Sequence, residues 1–254
     1  MGQAEDGWVR SSIESGVGTL TFHHPKGNSL PALLLKGLAE EVQKLGANPE
    51  AKVIVLRSEG DSAFCGGASF AELQAIRTKE QGKEFFSGFA RLILAMKSAP
   101  KFVIVRVHSK AVGGGVGVAA AADYALASNG ASAKLSELAL GIGPFVVGPA
   151  VERKVGTSAF NAMSIDYDWR DATWCRSRGL YNEIYASLTE LDSAVNALSQ
   201  KLAKSSPEAM AELKRVFWQG TESWDQLLDE RAGVSGRLVL SDFTRSYIAG
   251  FSKS

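Results

Sequence analysis

Two glycine-rich turns and one glutamate are the residues of this chain whose types and spacing could do chemistry. The first turn, Ser62-Ala63-Phe64-Cys65-Gly66-Gly67-Ala68-Ser69-Phe70, follows a β-branched run and leads toward a helix. The second, Ala111-Val112-Gly113-Gly114-Gly115-Val116-Gly117, also follows a β-branched run and opens a helix of small residues. Glycine permits unusual backbone angles and removes the side chain, so a ligand can touch main-chain N–H groups. The first N–H groups of a helix lack internal acceptors and carry partial positive charge. Two such turns, each giving one N–H to a single oxygen, make an oxyanion hole, which stabilises a carbonyl gaining negative charge.

Other readings compete with this one. Gly115-Val116-Gly117-Val118-Ala119-Ala120 fits a dinucleotide fingerprint, with Glu137 about 20 residues further on, where a ribose contact is expected. The context argues against it. Asp123 and Tyr124 begin the next strand too soon for a crossover helix, and Glu137 opens a segment instead of ending a strand. Tight helix–strand packing also explains glycines, but three in succession at a helix start exceed that need. From spacing alone, Ser136-Glu137 reads as a cap on the turn that follows. His23, His24 and His108 read as loop or surface groups, and Cys65 as a small packing residue. Asp123 reads as a cap or ion-pair partner, and Trp218 with Trp224 as a subunit contact.

Elements must position these groups. Strands are expected over Trp8 to Ile13 and Val17 to Phe22, joined by a turn at Glu14-Ser15-Gly16. Pro31 opens a helix carrying Leu34, Leu35, Leu38, Val42 and Leu45 at helical spacing. Buried strands are expected at Lys52 to Arg57 and Phe102 to Val107, with helices near Phe70 to Arg77 and Lys83 to Lys97. Two short strands follow near Tyr124 to Ala127 and Ala131 to Leu135. This alternation predicts an α/β core. From about Thr189 no strand signal survives. Three amphipathic helices are expected there, so the chain divides into a core, 1–188, and a C-terminal helical subdomain, 189–254.

Composition bounds the partners. The 254 residues carry 28 Lys and Arg against 27 Asp and Glu, a balance that supplies no field for nucleic acid or an anionic membrane. Two cysteines without a CxxC pair argue against a disulfide framework or a zinc site. The polar start, Met1 to Asp6, shows no leader, and no apolar run approaches the roughly 20 residues needed to span a bilayer. A soluble, cytoplasmic protein without metal is expected.

Together the motifs resemble the enoyl-CoA hydratase/isomerase (crotonase) family. Ala63-Phe64-Cys65-Gly66-Gly67-Ala68 resembles its A-F-C/S/A-A/G-G-A/N motif, and Gly113-Gly114-Gly115 its G-G-G turn. Leu135 to Pro144 resembles its F-x-x-P/S-E-x-x-L-G-x-x-P segment, and His24 to Leu30 its R-P-x-x-x-N-A/S-L/F loop. Arg170 to Ile184 follows its A-x-x-x-G-L-V-x-x-V pattern loosely, and the matches keep family order from about residue 8 to residue 253. The resemblance implies a spiral of ββα turns with a helical C-terminal oligomerisation subdomain, assembled as a homotrimer or dimer of trimers.

For the site, the resemblance implies an acyl-CoA thioester as substrate, with no cofactor because coenzyme A belongs to the substrate. The Ala68 and Gly114 amides would hold the thioester oxygen, and Glu137 would be the general acid/base. Lys26, Gly67, Gly113, Gly117, Pro144 and Phe145 would contact substrate, Phe145 with Val146 and Val147 lining an apolar acyl pocket. Two departures stand out. Hydratases of the family carry a second glutamate where this chain has Gly117. Many relatives follow Ala68 with Asp and then a CoA-binding Lys, where this chain reads Ser69-Phe70-Ala71. Lone Glu137 suits hydration or dehydration first and double-bond isomerisation second; a silent acyl-CoA-binding homologue is the third reading. Partial burial is expected to raise its pKa toward neutrality.

Overall fold

The computed structural model describes residues 7–251; the polar start, Met1 to Asp6, lies outside them. Strands β1 (Trp8–Glu14) and β2 (Val17–His23) pair antiparallel. Their turn places Ser15 and Gly16 at φ 50° and 82°, the two-residue geometry whose twist matches that of paired strands. Helix α1 (Ala32–Ala47) follows Pro31. Next come β3 (Val53–Ser58), α2 (Phe70–Ala75), α3 (Lys79–Ser98), β4 (Val103–Val107), β5 (Ala111–Val112), α4 (Gly114–Ala121), β6 (Tyr124–Ser128) and β7 (Ser132–Lys134). Helix α3 starts before the expected Lys83 because Thr78 and Gln81 form a capping box, a polar signal that hydrophobic spacing does not register.

The stretch that periodicity leaves unassigned holds α5 (Gly148–Val155), α6 (Thr157–Asp166), β8 (Arg170–Asp171), α7 (Ala172–Ser177) and β9 (Glu183–Tyr185). Four helices finish the chain: α8 (Leu188–Ala203), α9 (Pro207–Phe217), α10 (Trp224–Leu238) and α11 (Asp242–Phe251). Among the described residues, no helix is long and apolar enough to cross a membrane.

The large sheet has the order β1-β2-β3-β4-β6-β9, parallel from β2 onward. A small sheet joins β5, β7 and β8. Single bridges, Leu30 to Ala68 and Cys65 to Ala111, carry the same pairing back through the earlier turns. Each pass of the chain thus adds a strand to the large sheet, a short segment to the small one, and a helix. That repeat is a ββα spiral.

Alternation along β3 and its neighbours divides the core. Val53, Val55, Ile104 and Leu126 pack on Leu191 and Val195 of α8. Ile54 and Leu56 face the opposite side, with Leu35 and Leu38 of α1 and Leu92 and Met96 of α3. Trp218, Trp224, Leu228, Ala232 and Ile248 belong to this second cluster. The helices beyond residue 188 therefore share the spiral's core. Trp218 and Trp224, expected at a subunit contact, instead meet edge to face inside this chain, 5.7 Å between ring centroids. A buried polar partner draws them in: Trp218 Nε1 donates to Asp123 Oδ1 at 3.0 Å.

Asp123, just past α4, is the hub of that contact. Its Oδ2 accepts from the Val103 amide at 2.7 Å and lies 2.8 Å from Lys214 Nζ of α9. Lys214 also donates to the Met96 and Lys101 carbonyls, at 2.7 and 2.8 Å. Burial pulls the Lys214 pKa down, and the charge of Asp123 opposes that shift.

Candidate active site

The two glycine turns meet. Cys65 and Val112 join them through a short ladder, with Cys65 donating to the Lys110 carbonyl at 3.2 Å and accepting from the Val112 amide at 2.9 Å. Gly67, at φ 83°, packs so closely that a Cβ there would stand 2.7 Å from the Val112 carbonyl oxygen and 3.5 Å from the Gly114 nitrogen. Only glycine fits such an approach. Gly114 is covered by Phe89, whose Cε1 would lie 2.1 Å from a Cβ at that position. Among the described residues, the Ala68 and Gly114 N–H groups form no backbone bond in a turn, loop or cap. Gly114 is the first residue of α4, so it has no acceptor within the helix either.

Glu137 lies across from these amides. A Cβ on Gly113, at φ 51°, would come within 3.1 Å of its Oε1. Oε2 is sealed from water and has no hydrogen-bond partner. Burial pushes the carboxyl pKa up to about 7, against the opposing pull of the Glu137 and Ser136 amides. The capping expected from spacing falls to the main chain instead: the Glu137 carbonyl accepts from Leu140 and Ile142, and the side chain turns inward.

One cavity of about 70 Å³ collects Gly67, Ala68, Gly113, Gly114, Glu137 and Pro144. Its remaining wall is mostly apolar, with Phe86, Phe89, Leu140, Ile142, Val146 and Val147. Lys26, Gly117 and Phe145 lie outside that lining. Lys26 is exposed at the rim, where the neighbouring Gly27 carbonyl accepts from the Gly66 amide at 3.0 Å. Asn28, fully buried at φ 53°, holds this loop by donating to the Glu59 and Ala63 carbonyls, at 2.9 and 2.8 Å. Gly117 sits one layer behind the wall: a Cβ there would meet Val147 Cγ1 at 2.4 Å. Phe145 packs against Gly143 while its neighbours, Val146 and Val147, reach the cavity.

Sequence reasoning passed over Phe89, Val147's seat on Gly117, and Ser235 of α10, which also lines the cavity. The apolar face of α3 was legible, but nothing in the chain announces that a glycine far away needs an aromatic cover. The histidines match the loop-or-surface reading only in part: His24 and His108 stand in loops but not at the surface, and His23 ends β2. His24 and His108 are buried, and burial together with Arg106 and Arg57 lowers the His108 pKa. Neither lines the cavity. Cys65 and Cys175 are buried free thiols, each pushed up to about 12 by burial. Among the described residues, no three His, Cys, Asp or Glu side chains gather as metal ligands.

A ββα spiral thus brings two glycine turns and a desolvated carboxyl to one cavity. The profile of the enoyl-CoA hydratase/isomerase family matches residues 12–236, and the chain belongs to that family. It is 26% identical over 245 residues to a probable enoyl-CoA hydratase of Bacillus subtilis, covering 96% of this chain and 95% of that one. It is equally, 26%, identical to a peroxisomal Delta(3,5)-Delta(2,4)-dienoyl-CoA isomerase of Arabidopsis thaliana, covering 92% and 89%. The crystal structure of an enoyl-CoA hydratase from Bacillus halodurans has the same fold, with TM-score 0.88 at 19% identity, covering 96% of this chain and 99% of that one.

Proposed function

We propose that this chain is an acyl-CoA enzyme of the enoyl-CoA hydratase/dehydratase type, with Glu137 as its general acid/base. The observation that carries this reading is the buried Glu137 carboxyl, its Oε2 sealed and without a hydrogen-bond partner, sharing one cavity with two unbonded backbone amides. In the proposed mechanism the Ala68 and Gly114 N–H groups donate to the thioester oxygen. Negative charge builds on that oxygen as the substrate becomes an enolate, and fixed donors in a dry site stabilise it without reorganisation. Glu137 takes a proton from the water that adds to the β-carbon and delivers it to the α-carbon; dehydration runs the same steps backward. Coenzyme A, carried by the substrate, enters beside the exposed Lys26 loop, and no further cofactor takes part. A pKa near 7 suits a group that must both take and give a proton at neutral pH.

A second reading, double-bond isomerisation, has its own support. Among the described residues, Glu137 is the one carboxylate lining the cavity, and Val147 fills the space above Gly117. A single carboxylate can lift a proton from the α-carbon and return it at the γ-carbon without any water.

The experiment is turnover of short 2-enoyl-CoA and 3-enoyl-CoA thioesters by the wild type and Glu137→Gln. Water addition or bond migration by the wild type, reduced at least about 100-fold in the variant, supports the proposal. No hydration or isomerisation by the wild type, matching Glu137→Gln, would leave only acyl-CoA binding. We further propose a homotrimer or dimer of trimers, supported by the exposed Leu213, Val216 and Phe217 on α9. A cytoplasmic location is proposed on the two unpaired thiols.

A further inference from the structure

The cavity wall carries information about the acyl group itself, given the acyl-thioester reading above. Its volume is about 70 Å³. An apolar cavity of about 150 Å³ holds a benzene ring, so this one has room only for a short acyl group.

The wall is not free to retreat. Val147 is itself buried, and its Cγ1 would come within 2.4 Å of a Cβ on Gly117, so its methyls rest on the α4 backbone. Phe89 rests on Gly114 in the same way. Gly113 caps α4 and Gly117 lies in its first turn. Glu137 lies over the first and Val147 over the second. The apolar stop and the reacting group therefore share one cavity.

Charge points the same way. Among the described residues, no Lys, Arg or His lines the cavity. Arg231, one helical turn before Ser235 on α10, is outside the lining and donates to the Phe145 carbonyl at 3.4 Å. A carboxylate at the far end of an acyl group would lose its water, find no cation, and face Glu137.

We infer that the site takes short acyl groups that carry no carboxylate, and that Val147 sets the depth.

The test is kcat/KM for 2-enoyl-CoA thioesters of four, six, eight and ten carbons, and for a five-carbon thioester ending in a carboxylate. The expected order falls with length, by at least about 10-fold at eight carbons. The carboxylated substrate should be at least about 100-fold poorer than the four-carbon one. Val147→Ala should shift the preference toward six carbons. Dissociation constants of the matching saturated thioesters, measured on Glu137→Gln, should follow the same order, which keeps the test independent of turnover rate. Equal or better use of eight carbons, or of the carboxylated thioester, overturns the inference while leaving the enzyme reading intact. An unshifted length preference in a folded Val147→Ala protein removes Val147 from it. Failure of every thioester to bind or react would instead defeat the acyl-CoA reading on which the inference rests.

Discussion

At the scale of single residues, Glu137 is where environment decides chemistry. An ordinary carboxyl near 4.5 is moved to about 7 because its charged form has lost water. The sign of the consequence is fixed. The folded chain holds a proton that the unfolded chain gives up between these two values. The stability this lends is complete below about pH 4.5 and is lost as pH rises through about 7. Glu137→Gln keeps the neutral shape, so it should match the wild type near pH 5 and exceed it by about 2–3 kcal/mol near pH 8.5. Urea titrations at both pH values measure this. Activity should run the opposite way, with kcat/KM rising through about pH 7 as the carboxylate forms. A kinetic midpoint near the ordinary carboxyl value would mean that water reaches Glu137. The sequence made this residue visible by type and place. Its sealed Oε2 and its position over Gly113 were not visible, because both depend on which distant backbone lies opposite.

At the scale of elements, α4 is held at both ends. Its first residue lies under Phe89 of α3, and Asp123 beyond its last ties it to β4 and α9. The Asp123 and Lys214 side chains are only 5% and 3% exposed, so removing one charge strands the other. Lys214→Ala should cost about 3–5 kcal/mol, whereas Asp123→Asn with Lys214→Met should cost clearly less than the sum of its two single changes. Equilibrium unfolding of the four proteins decides it; additive losses would mean the two charges do not interact. What could be read in advance follows element length. The buried runs of β3 and β4 and the sixteen-residue α1 declare themselves through hydrophobic spacing. The pieces from α5 to β9 span two to ten residues, too short for a period to repeat. Asp123 was marked as a pairing residue, but its partner lies 91 positions later in α9, where Lys214 looks like any helical lysine.

At the scale of the whole molecule, one core runs from the N-terminal hairpin to α11. The last four helices therefore cover the spiral and also supply Ser235 to the cavity. Their outward side is less complete. Leu213, Val216 and Phe217 of α9 are 48%, 48% and 51% exposed, and their spacing of three and four places them on one face. Sedimentation of the wild type should give a multiple of the 27.0 kDa chain mass, three or six copies on the proposed assembly. Leu213→Glu combined with Val216→Glu should release the single chain while preserving its circular dichroism. A wild type that sediments as one copy, or a double variant with unchanged mass, would move the interface elsewhere. Family and fold were readable at this scale because the glycine turns recur in order. The shared core was not, since the shift to all-helix at about Thr189 suggests a boundary that packing does not respect.

The contact of Val147 with Gly117 also limits how this protein can change over generations. Any larger residue at 117 arriving first would collide with the valine, at 2.4 Å from its first added carbon. A smaller residue at 147 arriving first would leave an unfilled hole but a folded chain. The two sites are thus epistatic, with one passable order of substitution: room must open at 147 before a functional group can be gained at 117.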